Sequence, residues 1–252
     1  MTLHMIGIGL DSDKDITLKG LERIKKSSRI FLESYTSRLN VSKEDLENAW
    51  GVEIEDAGRE MVEKRSDDII SPAKDSDVAF LVIGDIFGAT THTDLILRAK
   101  EKGIGYTLTH NASIINAVSE TGLELYKFGK TTSIPFWTDS YKPETAYDVI
   151  AMNKNNGLHT LALLDIKAEE NRFMRVHDAI MILEEIEKKR GEGVISSDMF
   201  AVGCARMGSD NSTIFSGTLE ELKKKDYGEP LHCLIIPGKM HFVEEDMLKT
   251  FQ

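Results

Sequence analysis

The chain has 252 residues, enough for one large domain or two of roughly 100–150 residues each, and enough to bury a core without covalent staples. Apolar residues make up 41% and charged residues 29%, the balance of an ordinary soluble globular protein. Net charge is −11, from 31 basic and 42 acidic side chains, which argues against a nucleic-acid groove as the main business and is compatible with a cationic ligand or a basic protein surface.

The opening MTLHMIGIGL carries no basic region and no cleavage site, so it reads as a first strand over Met5 to Leu10 rather than a signal peptide. Leu18, Leu21 and Ile24 then fall on one helical face, with Asp15 or Thr17 as N-cap. Arg29 to Glu33 reads as a second strand, and the capping-box-like SKED at Ser42 starts a helix running to Trp50. The spacing predicts a polar helix over Ala57 to Ile69, closed by Ser71-Pro72. Val78 to Ile83 is the longest apolar run. It is far short of the ~18 residues of a membrane span and fits a central parallel strand covered on both faces. A helix over Thr93 to Lys102 ends in basic residues and Gly103. Tyr106 to Thr109 is the next strand, and Asn111 or Ser113 caps a helix ending near Gly122.

Between about Leu123 and Pro143 the composition shifts to Thr, Ser, Pro and aromatic residues, as expected of an interdomain connection. Beyond it come a helix from Glu144 to Asn155, a strand from Leu158 to Ile166, and a charged helix from Val176 to Lys189. Strands near Met199 to Ala205 and Leu231 to Ile236 follow, with alternation that points to antiparallel pairing. The fold class is α/β, with two unequal lobes divided as residues 1–112 and 113–252.

In a parallel sheet, ligands collect where strands end and loops lead into helices. Three such loops stand out: Gly7 to Asp11, Gly84 to Asp94, and His110 to Ile114. Glycine at 7, 9, 84 and 88 allows close backbone approach; Thr90, Thr91, Thr93 and Ser113 offer hydroxyls, and helix amides offer donors. A dinucleotide fold is the first rival, with Glu33 where a ribose-binding acid would sit. The third glycine of that fingerprint falls on Ser12, which weakens it. The sequence has no P-loop and no GxSxG elbow. The seven histidines show no metal-ligand spacing, so no metal site is expected. Cys204 and Cys233, each inside an apolar run, read as buried inert thiols. The chemistry left standing needs positioning more than reactive side chains. Methyl transfer from S-adenosylmethionine is of that kind, because the sulfonium already activates the methyl. No catalytic residue is identifiable.

GIGLDSDKDITLKGLERIKKSSRIFLESYTS at the start resembles the tetrapyrrole-methylase superfamily. Within it the chain most resembles the diphthine synthase family, through GDIFGATTHTDL (Gly84 to Leu95), HNASIINAVSETGLELYKFGKTTSIPF (His110 to Phe136), GLHTLALLDI (Gly157 to Ile166), CARMGSD (Cys204 to Asp210) and LHCLIIPGKMHFVEED (Leu231 to Asp246). The resemblance spans essentially the whole length. It implies a cytoplasmic class III methyltransferase of two α/β lobes with the cofactor, S-adenosyl-L-methionine, in the cleft between them and S-adenosyl-L-homocysteine as product. The implied partner is translation elongation factor 2, at a histidine already bearing a 3-amino-3-carboxypropyl group. The archaeal-type enzyme trimethylates its amine, the eukaryotic type also esterifies its carboxylate, and the enzyme is a homodimer with neither nucleic acid nor membrane as partner. By motif position the resemblance puts cofactor contacts on Leu10, Asp85, Gly88, Ser113, Ile114, Leu164, Met207 and His232. Ile86 departs from the family, which carries proline after the Gly-Asp pair and so pre-sets that loop. A corrin or porphyrin precursor as acceptor, or a cofactor-binding module without catalysis, are the alternatives. Lys and Arg do not cluster in the loops, which disfavours an acidic macrocycle.

Overall fold

The computed structural model describes residues 1–89 and 92–252. The chain divides into two compact units, one of Met1–Ala117 with Gly208–Asp210, the other of Val118–Met207 with Asn211–Gln252.

In the first unit the elements run β1 (Thr2–Gly7), α1 (Leu18–Lys26), β2 (Arg29–Glu33), α2 (Lys43–Trp50), β3 (Glu55–Ala57), α3 (Arg59–Lys64), α4 (Asp67–Ile70), β4 (Val78–Val82), α5 (Thr93–Glu101), β5 (Gly105–Thr109) and α6 (Ile114–Ala117). The five strands order as β3-β2-β4-β1-β5, and every pairing is parallel. β4 lies in the middle and all its residues are buried. Its alternate side chains feed two cores. Val78, Phe80 and Val82 join Leu3, Met5, Phe31 and Leu95 on one face. Ala79 and Leu81 join Ile6, Ile24, Leu46 and Trp50 on the other. This period of two, with apolar residues on both faces, is why the run reads as continuously hydrophobic.

The helix starts follow from local chemistry. Thr17 accepts from the Gly20 amide at 3.0 Å, and Ser42 exchanges bonds with Asp45 in a full capping box. Either device stabilises its helix by about 1 kcal/mol. The single helix expected over Ala57 to Ile69 is replaced by β3 and two short helices. Glu55 and Asp56 are exposed on an edge strand, so their polarity hid it, and the α3 helix stops at Arg65, outside helical backbone geometry.

In the second unit come β6 (Thr132–Ile134), α7 (Thr145–Asn155), β7 (Thr160–Leu164), β8 (Ile166–Lys167), β9 (Arg172–Phe173), α8 (Val176–Arg190), β10 (Phe200–Ala205), β11 (Thr213–Thr218), α9 (Leu219–Leu222), β12 (His232–Ile236) and α10 (Phe242–Lys249). The sheet order is β11-β10-β12-β7-β6. β10 pairs antiparallel with β11 and β12, β12 antiparallel with β7, and β6 parallel with β7. The segment read as a connection over Leu123 to Pro143 therefore carries a strand of the second sheet. Its polar, proline-flanked residues concealed a three-residue strand. Tyr147, Leu164, Ile180, Leu183, Leu219 and Leu234 fill the core of this unit.

Cys204 and Cys233 are directly opposed across β10 and β12, and both are buried. The hydrogen bond with Cys233, together with burial, pushes the Cys204 thiol well above its ordinary range, which keeps it protonated and unreactive.

Candidate functional site

β4, β1 and β5 are neighbours and parallel, so the loops leaving their carboxyl ends emerge side by side. Each is bonded to the next. Gly9 and Gly84 exchange backbone bonds, N–H to O at 3.3 and 2.7 Å. Their φ values of +86° and +82° lie where a side chain would be strained, so glycine is what lets the first two loops meet. Asp15 accepts from the amides of Leu10 (3.0 Å) and Asp11 (2.7 Å), shaping the first loop from inside.

The third loop joins the others through Asn111 and Asp85. Asn111 Nδ2 donates to the carbonyls of Gly7 (3.1 Å) and Asp15 (3.0 Å). The Asn111 amide donates to Asp85 Oδ2 at 3.0 Å, and the Phe87 amide to Asp85 Oδ1 at 3.0 Å. His110 Nδ1 lies 2.9 Å from Asp85 Oδ2. Burial raises the Asp85 pKa, but the two amides and His110 outweigh it and hold the carboxyl below its ordinary value. Asp85 thus shapes its own loop through the Phe87 amide and ties it to the third loop through Asn111 and His110.

Gly88 and Ser113 face each other. A Cβ on Gly88 would lie 2.5 Å from Ser113 Cβ, so the close approach that glycine permits here is to the neighbouring loop. Ser113 is buried; its amide donates to Asn116 Oδ1 at 2.7 Å and its hydroxyl accepts from the Ile115 amide at 3.2 Å. These bonds open α6, which begins at the half-buried Ile114. Leu10 reaches across the group: a Cβ on Gly84 would sit 3.7 Å from Leu10 Cδ2, and one on Gly208 would sit 2.6 Å from Leu10 Cδ1. Ile86 is fully buried in the core with Met5 and Phe80. An apolar anchor thus fixes the loop at the position where the family uses ring rigidity. Thr90 and Thr91 lie outside the described residues.

The structure brings Leu10, Asp85, Gly88, Ser113 and Ile114 together in the first unit. Leu164, Met207 and His232 belong to the second. Leu164 ends β7, His232 opens β12 opposite Ala205, and Met207 follows β10 by two residues, so these three share one end of the second sheet. His232 is buried. Its Nε2 faces the Gly228 carbonyl at 3.2 Å, which makes Nε2 the donor and leaves Nδ1 a bare acceptor. Nδ1 is buried without a partner. Desolvation lowers the pKa of this imidazole, so it is neutral at pH 7.

Glu33, the acid of the dinucleotide alternative, is fully buried. It accepts from the amides of Tyr35 (3.0 Å) and Thr36 (2.7 Å) and from the Thr36 hydroxyl (2.6 Å). Its oxygens shape the turn after β2, which removes the residue that alternative depended on. Among the described residues, no three His, Cys, Asp or Glu side chains converge as metal ligands.

Sequence reasoning saw Asn111 only as a possible cap, and Asp15 likewise. A short polar side chain directly after a strand whose neighbours carry Gly-rich loops was the available signal. Asn111→Ala should cost about 1–3 kcal/mol, because two loop carbonyls lose their donor; thermal or denaturant unfolding measures it, and an unchanged midpoint would show the strap to be idle.

A family model described as Tetrapyrrole (Corrin/Porphyrin) Methylases matches residues 2–223. The diphthine methyl ester synthase of Yarrowia lipolytica is 49% identical, over 99% of this chain and 89% of that protein. The diphthine methyl ester synthase of Homo sapiens is 48% identical, over 99% and 94%. A solved structure from Entamoeba histolytica superimposes with a TM-score of 0.92 at 40% identity, over 99% of this chain and 98% of that one. A solved diphthine synthase gives 0.90 at 35% identity, over 100% and 96%.

Proposed function

Because this chain belongs to the tetrapyrrole (corrin/porphyrin) methylase family, in the branch that holds the diphthine methyl ester synthases, we propose that it is the methyltransferase of diphthamide biosynthesis. It transfers methyl groups from S-adenosyl-L-methionine to the amine of the 3-amino-3-carboxypropyl-histidine of translation elongation factor 2. The observation that carries this reading is the cross-bonded set of three loops at the carboxyl ends of β4, β1 and β5. A rigid, backbone-rich cradle suits a reaction whose electrophile is already activated and whose catalyst must chiefly align two partners.

The residues present fit the methyl donor. His232 Nδ1 is a buried acceptor in want of a donor, and an adenine amino group is a donor of the right kind. Leu10, Ser113 and Ile114 supply apolar surface and backbone from the first unit, with Asp85 and Gly88 setting the loop positions. Leu164 and Met207 line the same end of the second sheet as His232. The sulfonium, when bound, supplies an activated methyl carbon. We take the enzyme to act as a homodimer in the cytoplasm, where translation factors work; no helix of the described residues is long and apolar enough to cross a membrane.

The test is incubation with elongation factor 2 bearing the precursor histidine and labelled donor, followed by mass spectrometry of the modified peptide. Three methyls on the amine are expected. A fourth on the carboxylate is expected too, because the relatives named above are methyl ester synthases. Donor binding without label in the factor would instead mark a cofactor-binding module, and labelling of a corrin or porphyrin precursor would move the acceptor class. Activity should persist in a chelator.

A further inference from the structure

The methyl acceptor poses a problem that the loops so far described do not solve. An α-amino group titrates near ~8, so at neutral pH most of it is an ammonium with no lone pair. Each transfer to such an amine releases a proton, and repeated transfers release one each time. A group that takes the proton at the moment of attack raises the rate.

The first unit contains a pair built for this. His110 follows β5 directly, on the third loop. Its Nδ1 lies 2.9 Å from Asp85 Oδ2. The Asp85 carboxyl sits below its ordinary pKa, so near neutrality it carries no proton and acts only as acceptor. The shared proton is therefore on His110 Nδ1. That fixes the tautomer and leaves the Nε2 lone pair available. The imidazole is 63% exposed while its partner carboxylate is 14% exposed, so the acid is rooted in the loops and the base projects from them. Phe87, on the second loop and also exposed, has its ring centroid 6.1 Å from that of His110 and limits where the imidazole can swing. Among the described residues, the charged group bonded to His110 is Asp85. Arg23 lies one residue back, donating to Thr109 Oγ1 (2.5 Å) and the Leu108 carbonyl (2.9 Å).

We propose that His110, oriented by Asp85, is the proton acceptor for methylation of the substrate amine. This inference rests on the function proposed above. In balanced form, the ammonium N–H passes its proton to His110 Nε2. The freed nitrogen lone pair forms the bond to the methyl carbon as the carbon–sulfur bond breaks, and the sulfonium electron pair stays on sulfur. The imidazolium, facing Asp85 across the hydrogen bond, then gives its proton to water. Asp85 remains ionised throughout and acts as a positioning residue, the division of labour seen wherever a carboxylate holds a histidine by Nδ1.

The experiment compares wild type, His110→Gln and His110→Ala in methyl transfer to elongation factor 2 between pH 6.5 and 9, with donor affinity measured by calorimetry. At pH 7 kcat should fall by about 100-fold, the lower end of the range for general-base removal. Donor affinity should stay within about twofold, and the deficit should shrink as pH rises past ~8, where the amine sheds its proton unaided. The resting enzyme gives an independent readout. Nitrogen-15 NMR of the imidazole should show the Nδ1–H tautomer at His110, and Asp85→Ala should abolish that preference. A deficit that is the same at every pH would overturn the proposal in favour of a purely structural role, and no deficit would overturn it outright. Wild-type enzyme that labels no elongation factor would bring down the function itself, and this inference with it.

Discussion

Glu244→Ala should lower the stability of the protein by about 3–5 kcal/mol, the cost of removing one partner from a buried charged cluster. Glu244 is 1% exposed and accepts four hydrogen bonds. Oε1 takes the Glu124 amide (2.9 Å) and His159 Nε2 (3.0 Å). Oε2 takes the His241 amide (2.7 Å) and the Lys127 ammonium. His159 is held from both ends, since its Nδ1 accepts from the Gly238 amide at 2.9 Å. Truncation strands these donors together and frees the start of α10, for which Glu244 closes the capping box. Glu244→Gln should recover only part of the loss, because its amide nitrogen would face donors. Denaturant unfolding of the three proteins measures the series; a loss under 1 kcal/mol for the alanine variant would show the cluster to be dispensable.

The same cluster sets a pH dependence. Burial alone would raise the Glu244 pKa, but the Glu124 amide, Lys127, the His241 amide and His159 overcome it and hold it at about 2, against an ordinary value of 4.5. A depressed folded pKa contributes stability that is complete above the ordinary value and lost as pH falls toward the folded one. The loss between pH 4.5 and 2 amounts to about 3 kcal/mol. Desolvation lowers the pKa of His159, with Glu244 opposing it, and lowers that of His232. Both are neutral when folded. Their contribution therefore begins to fall as pH drops through 6.5, where the unfolded chain takes up protons that the folded one refuses. Unfolding free energy should thus decline in two stages on acidification, and Glu244→Ala should shrink the lower stage without abolishing it, because Asp85 is depressed as well.

What could be read in the sequence divides along physical lines. β4 was legible because it is apolar on both faces over a strand's length, and α2 because Ser42 and Asp45 announce its start within four residues. β3 and β6 were not. Each is three residues long and owes its place to a neighbouring strand rather than to its own pattern. The loops at Gly7, Gly84 and His110 were visible as glycine and hydroxyl clusters, and their adjacency follows once β4, β1 and β5 are known to be parallel neighbours. Their internal wiring was hidden, because hydrogen bonds such as Asn111 to Gly7 span 104 residues and leave no local trace. Ile86 shows the limit most clearly. From sequence it looked like a loss of rigidity, but burial supplies by packing what proline would have supplied by ring closure.

Gly88→Val should reduce methyl transfer by about 100-fold, the scale on which a displacement of about 1 Å in a positioning element lowers rate. The steric origin of this effect is the neighbouring loop. The new Cβ would meet Ser113 Cβ at 2.5 Å and Ser113 Oγ at 2.6 Å. The hydroxyl could rotate aside; the Cβ moves only with its backbone. That backbone is fixed by the bonds Ser113 makes to Asn116 and Ile115, and Asp85, three residues before Gly88, is bonded to Asn111 on the same neighbouring loop. The two loops must part, and overpacking of this kind costs about 1–3 kcal/mol. Gly88→Ala already carries the offending carbon, so it should lose nearly as much activity as valine. A variant that crowded only the ligand would show a graded response to side-chain size. Ser113→Gly in the Gly88→Ala background removes the opposing carbon and should restore donor binding in part, measured by calorimetry. Failure of that double variant to recover any affinity, with the fold intact by melting, would return the effect of Gly88 to direct contact with the donor.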